Sequence, residues 1–251
     1  LGITPFPAPE HWPQRGEIVF DHVWFGYSSS ALASGAGNDA SAAMALRDVS
    51  FTVRGGEKIG VVGRTGSGKS SLAMAIFRVH NLTRGRILID GVDLCSLSLV
   101  ELRKNLCIIP QTPLFYRCSV RSYLDPFGEF VDAQLWSELV KCGLDKSVES
   151  LDVELWDNGE NWSMGERQML CLARALLKPS RVVILDESFS SVDASSEDQL
   201  IEILDQNFRQ STVFLITHRL DQVLQFDKIM VMQSGELVEF GAATDLAADA
   251  N

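Results

Sequence analysis

The sequence is poor in basic residues, and it lacks a long apolar run. Its 22 Lys and Arg residues are outnumbered by 33 Asp and Glu residues, which gives a formal net charge of −11. Because binding to a phosphate backbone needs a basic surface, this charge argues against nucleic acid as the main partner. No apolar run approaches the roughly 18–20 residues needed to cross a bilayer. The composition therefore predicts a globular domain.

Paired cysteines are also missing. The five cysteines are odd in number and show neither a C-x-x-C pair nor the spacing of zinc ligands. They indicate free thiols in a reducing cytosol and not a disulfide framework. Residues 1–16 contain four prolines and no apolar stretch, which is not typical of a signal peptide. We interpret them as a linker that enters a domain at residue 17.

The rest of the chain alternates between strand and helix patterns. The segment "EIVFDHVWF" predicts a strand, and Asp90-Gly91 between two apolar runs predicts a hairpin. "RVVILDE" and "TVFLITH" are short apolar runs of the buried parallel type. Helical patterns cover residues 97–105, 132–142, 163–177 and 195–207. This alternation predicts an α/β fold, whereas the Ser- and Ala-rich segment Ser28–Met44 predicts a flexible insertion.

A phosphate loop follows the apolar strand "KIGVV". The stretch "GRTGSGKSS" matches G-x-x-x-x-G-K-S/T, a pattern whose glycines let backbone N–H groups point at phosphate oxygens. Lys69 would reach the β- and γ-phosphates, and the Ser70 hydroxyl can ligate Mg²⁺. A glycine-rich turn can fit this pattern by chance, but the flanking strand and helix favour nucleotide binding. The predicted contacts are Gly63, Arg64, Thr65, Gly66, Ser67, Gly68, Lys69, Ser70 and Ser71.

Two acids end the apolar run "RVVILDE". Asp186 is placed where a carboxylate beside a phosphate loop would support Mg²⁺, and Glu187 can position a water for in-line attack on the γ-phosphate. The alternative is that both acids cap the following helix. The phosphate loop upstream favours the catalytic interpretation.

Three further side chains are candidates for the same site. His218 follows "TVFLIT" at the carboxyl end of a predicted strand, where open α/β sheets bind ligands. Gln111 follows another apolar pair and offers a neutral amide to Mg²⁺ and water, and Tyr27 could stack on an adenine. Each of the three also has a purely structural interpretation. His11, His22 and His80 have no comparable setting and are interpreted as structural.

The segment "WSMGE" (Trp162–Glu166) opens an apolar helical run. Ser163 and Glu166 are three residues apart, the spacing of a capping box in which each side chain accepts the other's backbone N–H. Helix starts also attract phosphate, because unpaired N–H groups and the helix dipole favour an anion. The segment is thus a helix cap, a phosphate site, or both.

In this order, the elements resemble the nucleotide-binding domain of an ABC transporter. Those that carry the resemblance are Tyr27, the loop 63–70, Gln111, the signature 162–166, Asp186-Glu187, "SSVD" at 190–193 and His218. The resemblance implies a P-loop NTPase (RecA-like) core with a parallel sheet, an antiparallel β subdomain and an α-helical signature subdomain over about 113–178. The ATP-binding domain would span 17–251.

The resemblance also assigns roles. It makes Gln111 a Q-loop residue and Mg²⁺ ligand, Asp193 the D-loop acid, and His218 a switch histidine that senses the γ-phosphate. ATP with Mg²⁺ would lie between the phosphate loop of one domain and the signature of another. Ser163, Gly165, Glu166 and Asp193 would therefore act in trans.

A narrower likeness concerns subfamily C, the multidrug-resistance-associated proteins. "SVRSYLDPFGEFVDAQLWSEL" is similar to the segment after the Q-loop in the second nucleotide-binding domain of that subfamily. It implies an ATPase that drives export of organic anions, conjugates or drugs. The partners would be the first nucleotide-binding domain and the transmembrane domains, at the cytoplasmic face of a membrane. Alone, the domain would be monomeric or weakly dimeric.

This sequence departs from the family at its signature. The usual L-S-G-G-Q or L-S-V-G-Q reads "WSMGE", so Glu166 adds a negative charge where an anion should bind. We expect this signature to build the weaker of two sites. Two alternatives stay open: a nucleotide-sensing domain of a subfamily C channel or channel regulator, and a soluble ABC ATPase of DNA repair or translation. The acidic charge disfavours the second.

Overall fold

The computed structural model of the chain describes residues 6–27, 44–187 and 202–249. It divides into two compact units. The first unit comprises Leu1–Leu106, Arg181–Asp186 and Gln210–Asn251, and the second comprises Cys107–Ser180 and Glu187–Arg209. In the described ranges no helix is both long enough and apolar enough to cross a bilayer.

The described residues form strands and helices in a mixed order along the chain. The strands are β1 (Ile18–Phe25), β2 (Leu46–Val53), β3 (Lys58–Val62), β4 (Arg84–Ile89), β5 (Val92–Asp93), β6 (Cys107–Ile109), β7 (Cys118–Ser119), β8 (Glu154–Leu155), β9 (Val182–Asp186), β10 (Thr212–Ile216), β11 (Lys228–Gln233) and β12 (Glu236–Ala242). The helices are α1 (Lys69–Ile76), α2 (Leu99–Asn105), α3 (Val120–Leu124), α4 (Asp132–Lys141), α5 (Met164–Leu177), α6 (described over 202–207), α7 (Leu220–Val223) and α8 (Ala243–Asp249).

An antiparallel sheet in the first unit has the strand order β2-β1-β4-β5. Phe20 of β1 lies opposite Phe51 of β2, and the two buried rings stack with centroids 4.4 Å apart. The predicted hairpin at Asp90-Gly91 is confirmed, since Ile89 pairs with Val92 across it. Both turn residues have positive φ, +50° and +77°, as a two-residue turn of this hand requires.

A second sheet in the first unit is mostly parallel. Its strands lie in the order β12-β11-β3-β10-β9, with only β12 antiparallel to its neighbour. The runs "TVFLI" and "VVIL" are buried throughout, which fits strands buried on both faces. Ile216 of β10 is in register with Val61 of β3 and with Asp186 of β9. The carboxyl ends of these three strands therefore share one edge.

The second unit is built around α5. Helices α3 and α4 pack against it, and Leu135, Leu139 and Leu170 are fully buried. The predicted helices over 97–105, 132–142 and 163–177 are confirmed to within two residues at each end, as α2, α4 and α5. From the predicted helix 195–207 the structure describes residues 202–207, and from the predicted insertion it describes only Met44.

The segment 6–17, which precedes β1, is held against the hairpin between β4 and β5. Trp12 is 5% exposed, and its Nε1 donates to the carbonyl of Ile89 at 2.9 Å. The Asp90 carboxylate accepts the four backbone N–H groups of residues 14–17 at 2.7–3.2 Å. The last residues of the predicted linker thus make ordered contacts to the hairpin between β4 and β5.

Candidate functional site

The phosphate loop (Gly63–Ser71) connects β3 to α1 in the first unit. Gly68 has φ +105°, and a Cβ there would lie 2.8 Å from the carbonyl oxygen of Ala45. At Gly63 a Cβ would lie 2.3 Å from the carbonyl oxygen of Met232. The loop therefore keeps its path only because both positions lack a side chain.

Two buried side chains of this loop are suited to an anion. Lys69 is 4% exposed, and its ammonium donates to the carbonyls of Gly63 at 2.9 Å and Arg64 at 3.3 Å. The Ser67 hydroxyl is also buried, and among the described residues its oxygen has no hydrogen-bond partner. A buried polar group without a partner is costly. A phosphate oxygen in the loop would satisfy it.

The structure brings Ser70 and Asp186 together. Ser70, at the start of α1, donates its hydroxyl hydrogen bond to Oδ1 of Asp186 at the end of β9, over 2.9 Å. A hydroxyl oxygen and a carboxylate oxygen that lie close together are the hard ligands that Mg²⁺ prefers. The residues present thus fit the ion that the sequence predicts.

His218 lies two residues beyond β10, on the edge that carries the phosphate loop and Asp186. The side chain is exposed. Its strand lies between β3 and β9, which lead into the loop and Asp186 respectively. The parallel register places all three at the carboxyl edge of the sheet, the edge at which open α/β sheets bind ligands.

Tyr27 follows β1 and contacts the phosphate loop. Its hydroxyl lies 2.7 Å from the Ser71 hydroxyl, and either group can donate. The ring is 51% exposed and packs edge-on against Phe25 and His80, with centroids 5.6 Å and 6.0 Å away. The predicted base-stacking residue is therefore next to the loop that would hold the phosphates.

In the second unit, Gln111 and Glu187 meet. The Gln111 amide Nε2 donates to Oε2 of Glu187 at 3.0 Å. Glu187 has φ +45°, a left-handed backbone that is uncommon for a residue other than glycine. Such strain persists only when the surroundings impose it, and it often accompanies a functional role. The sequence motif gave no signal of this conformation.

The predicted capping box at the start of α5 is confirmed. The Glu166 N–H donates to Ser163 Oγ at 3.2 Å, and the Ser163 N–H donates to Glu166 Oε2 at 2.9 Å. The Ser163 hydroxyl donates to the same carboxylate oxygen at 2.8 Å. Outside the backbone of its own helix, an added Cβ at Gly165 would meet no atom of the described residues within 4 Å. Within the described ranges, the first turn of α5 therefore leaves space beside Gly165.

A further contact to the signature was not predicted. The Ser147 hydroxyl donates to Glu166 Oε1 at 2.6 Å. This hydrogen bond lowers the pKa of Glu166, and the bonds from Ser163 act in the same direction against the effect of burial. Ser147 and Glu166 are separated by 19 positions in the sequence, so no local pattern could have revealed the contact. Asp193, the predicted D-loop acid, lies outside the described residues.

The chain is similar to known proteins over most of its length. Residues 46–190 match the sequence profile of a family described as ABC transporter. The chain is 39% identical to the ABC-type transporter cicA of Emericella nidulans, over 97% of this chain and 18% of that protein. It is 37% identical to the ATP-binding cassette sub-family C member 2 of Rattus norvegicus, over 97% of this chain and 15% of that protein.

A solved structure has the same fold. The bacterial Atm1-family ABC exporter with ATP bound superimposes with a TM-score of 0.87 at 27% sequence identity, over 100% of this chain and 43% of that one. The chain spans less than a fifth of the length of the two curated relatives.

Proposed function

The chain belongs to the ABC transporter family, and from that premise we propose that it is the ATP-hydrolysing domain of a subfamily C exporter. It has the P-loop NTPase fold of the family's nucleotide-binding domains, and its relatives include subfamily C members. The observation that carries the proposal is the Ser70–Asp186 hydrogen bond between the phosphate loop and the end of β9, a parallel strand of the same sheet. Through this contact, the loop that would bind the nucleotide lies next to the carboxylate that would bind the metal ion.

In the proposed site, the loop from Gly63 to Ser71 holds the phosphates of ATP. Lys69 transfers its hydrogen bonds from loop carbonyls to β- and γ-phosphate oxygens, and Ser67 gains an acceptor for its hydroxyl. Ser70, Asp186 and Gln111 would hold Mg²⁺. When bound, this ion would neutralise charge that develops on the phosphate oxygens.

Glu187 positions the attacking water. Its carboxylate is oriented by Gln111 at 3.0 Å, and proton acceptance by such a group contributes roughly 10²–10⁴ in rate. His218 contacts the γ-phosphate from the end of β10. Most of the catalytic effect comes from positioning and charge stabilisation, because phosphoryl transfer needs little covalent chemistry from the protein.

Pairing with a second nucleotide-binding domain completes the proposed cycle. ATP closes the two domains head to tail, and hydrolysis reopens them, which drives export of organic anions, conjugates or drugs at the cytoplasmic face of a membrane. The capped first turn of α5, with Ser163 and Gly165, faces the partner's γ-phosphate, and Asp193 acts across the same junction. Since the Glu166 carboxylate already accepts both Ser163 donors, we place the weaker of the two sites here.

Asp186→Asn tests the metal role of the Ser70–Asp186 pair. Loss of the carboxylate should raise the Mg²⁺ concentration for half-maximal ATP binding or hydrolysis by about tenfold or more. Isothermal titration of Mg²⁺ in the presence of ATP measures this value. The matched control is Asp48→Asn, which removes an exposed carboxylate of the same unit that pairs with His22. An Mg²⁺ requirement that is equal in both variants and the wild type contradicts the proposed metal site.

A further inference from the structure

Tyr27 packs within a cluster of aromatic rings. Phe25 is completely buried at the end of β1 and packs edge-on against Tyr27, with centroids 5.6 Å apart and planes at 78°. His80 packs against Tyr27 from a different segment, at 6.0 Å and 86°. Phe25 and His80 are also in contact, with centroids 6.3 Å apart. The three rings thus support one another.

The segment that carries His80 is itself fixed. It runs from the end of α1 to the start of β4. Its backbone is anchored by a hydrogen bond from the Val79 N–H to the Met74 carbonyl and by one from the Thr83 N–H to the Trp24 carbonyl. The Arg78 side chain donates to the carbonyls of Leu94 and Leu97, both at 2.7 Å. His80 therefore has a defined position beside Tyr27.

Tyr27 is also tied to the phosphate loop. Its hydroxyl contacts Ser71 of α1 at 2.7 Å, so the ring is held near both ends of that helix, by Ser71 at the start and by His80 beyond the end. The ring remains half-exposed, at 51%. A flat aromatic surface held in this way, beside a loop built for phosphates, is suited to a planar base.

From this geometry we infer that His80 is a positioning residue for base recognition, which acts by holding Tyr27 against the adenine of ATP. The inference rests on the proposed nucleotide site. His80 does not contact the phosphates in it. Its edge-to-face packing restricts Tyr27 before the nucleotide arrives, and pre-organisation of a binding group raises affinity by reducing the ordering cost. Ser71 provides the second restraint through the tyrosine hydroxyl.

The test compares two ligands. ATP engages base and phosphates, whereas inorganic tripolyphosphate engages the phosphate loop alone. Binding of each, with Mg²⁺, is measured by titration calorimetry on the wild type, His80→Ala, His80→Phe and Tyr27→Phe. The control is Asn81→Ala, which truncates an exposed neighbour on the same segment.

His80→Ala should weaken ATP binding by roughly three- to tenfold, the scale of one aromatic pair, with tripolyphosphate binding unchanged. His80→Phe should restore ATP binding, because it keeps an aromatic edge against Tyr27. Tyr27→Phe should also weaken ATP selectively, since it removes the tie to Ser71. Asn81→Ala should match the wild type for both ligands.

Equal ATP affinity in His80→Ala and the wild type would overturn the inference. So would a parallel loss of ATP and tripolyphosphate binding, which indicates a structural role only. These results leave the proposed function intact, because the wild type still binds both ligands. Failure of the wild type to bind either ligand would overturn the proposed function and this inference with it.

Discussion

The Asp90 carboxylate shows how much order one residue can impose. Burial of Asp90 opposes ionisation, but the backbone N–H groups of residues 14–17 together outweigh this effect and lower its pKa. The hydrogen bonds fix the segment before β1 to the hairpin between β4 and β5. The turn at Asp90-Gly91 could be predicted from the sequence. The role of Asp90 as an anchor for residues 14–17 could not, because those residues are more than 70 positions away in the sequence.

Asp90→Asn should lower the free energy of unfolding by about 1–3 kcal/mol at pH 7, because four donors lose a charged acceptor. Asp90 has a lowered pKa in the folded chain. Its contribution is therefore present above the unfolded pKa of about 3.9 and is lost as the pH falls through the folded value. Urea unfolding of both proteins between pH 7 and pH 3 measures the difference.

The matched control for Asp90 is Asp21→Asn. Asp21 forms an exposed ion pair with Arg86, so its removal should cost less than about 1 kcal/mol. If the two variants lose equal stability, or if the effect of Asp90→Asn persists unchanged at pH 3, the anchoring role is contradicted.

The site residues that belong to a sequence motif could be predicted from the sequence. The phosphate-loop pattern requires Lys69 and Ser70 on a helix start, and a strand that ends in Asp186 must meet that edge of a parallel sheet. The structure brings Ser70 and Asp186 together. The Ser147–Glu166 and Tyr27–His80 contacts escaped prediction, since side chains that meet through tertiary packing leave no periodic signal.

At the scale of elements, α5 combines a strong cap with an unusual charge. Glu166 accepts from the Ser163 N–H, from the Ser163 hydroxyl and from Ser147. A glutamine at this position could still close the capping box. The helix cap therefore does not need the negative charge of Glu166. That carboxylate instead accepts the Ser163 N–H and hydroxyl, which the proposed phosphate site would use as donors.

Glu166→Gln should therefore separate stability from nucleotide binding. The free energy of unfolding should change by less than about 0.5 kcal/mol, whereas Ser163→Ala, which removes the cap itself, should cost about 1 kcal/mol. ATP-dependent association, measured by analytical ultracentrifugation, should become tighter in Glu166→Gln. Unchanged association in Glu166→Gln would refute the view that this charge weakens the signature.

Helices and hairpins were predictable because their signals are local. Ser163 caps α5, and Lys178-Pro179 follows its end, as capping and proline rules require. The pairing order of the strands could not be predicted in this way, because it depends on distant parts of the chain. Strand β3 lies between β10 and β11, although more than 140 residues separate it from either. The short strands β5, β7 and β8, of two residues each, are too brief to show any period.

For the whole molecule, we propose that Glu187 serves a hydrolytic site whose signature comes from another domain. The chain spans less than a fifth of the length of the two curated relatives, and the partner domain therefore belongs to the proposal. A copy of the chain with Glu166→Gln and Glu187→Gln offers a signature closer to the family pattern but lacks the water-positioning carboxylate. Such a copy can assist hydrolysis without performing it.

The most direct measurement is ATP hydrolysis by the wild-type chain, titrated with this double variant. We expect the rate per wild-type molecule to rise with added variant, and to rise more than with Glu187→Gln alone. We also expect turnover to fall roughly 10²–10⁴-fold when Glu187→Gln replaces the wild type, with ATP binding retained. If the rate does not change with added variant and Glu187→Gln keeps full turnover, the proposed hydrolytic role of Glu187 is contradicted.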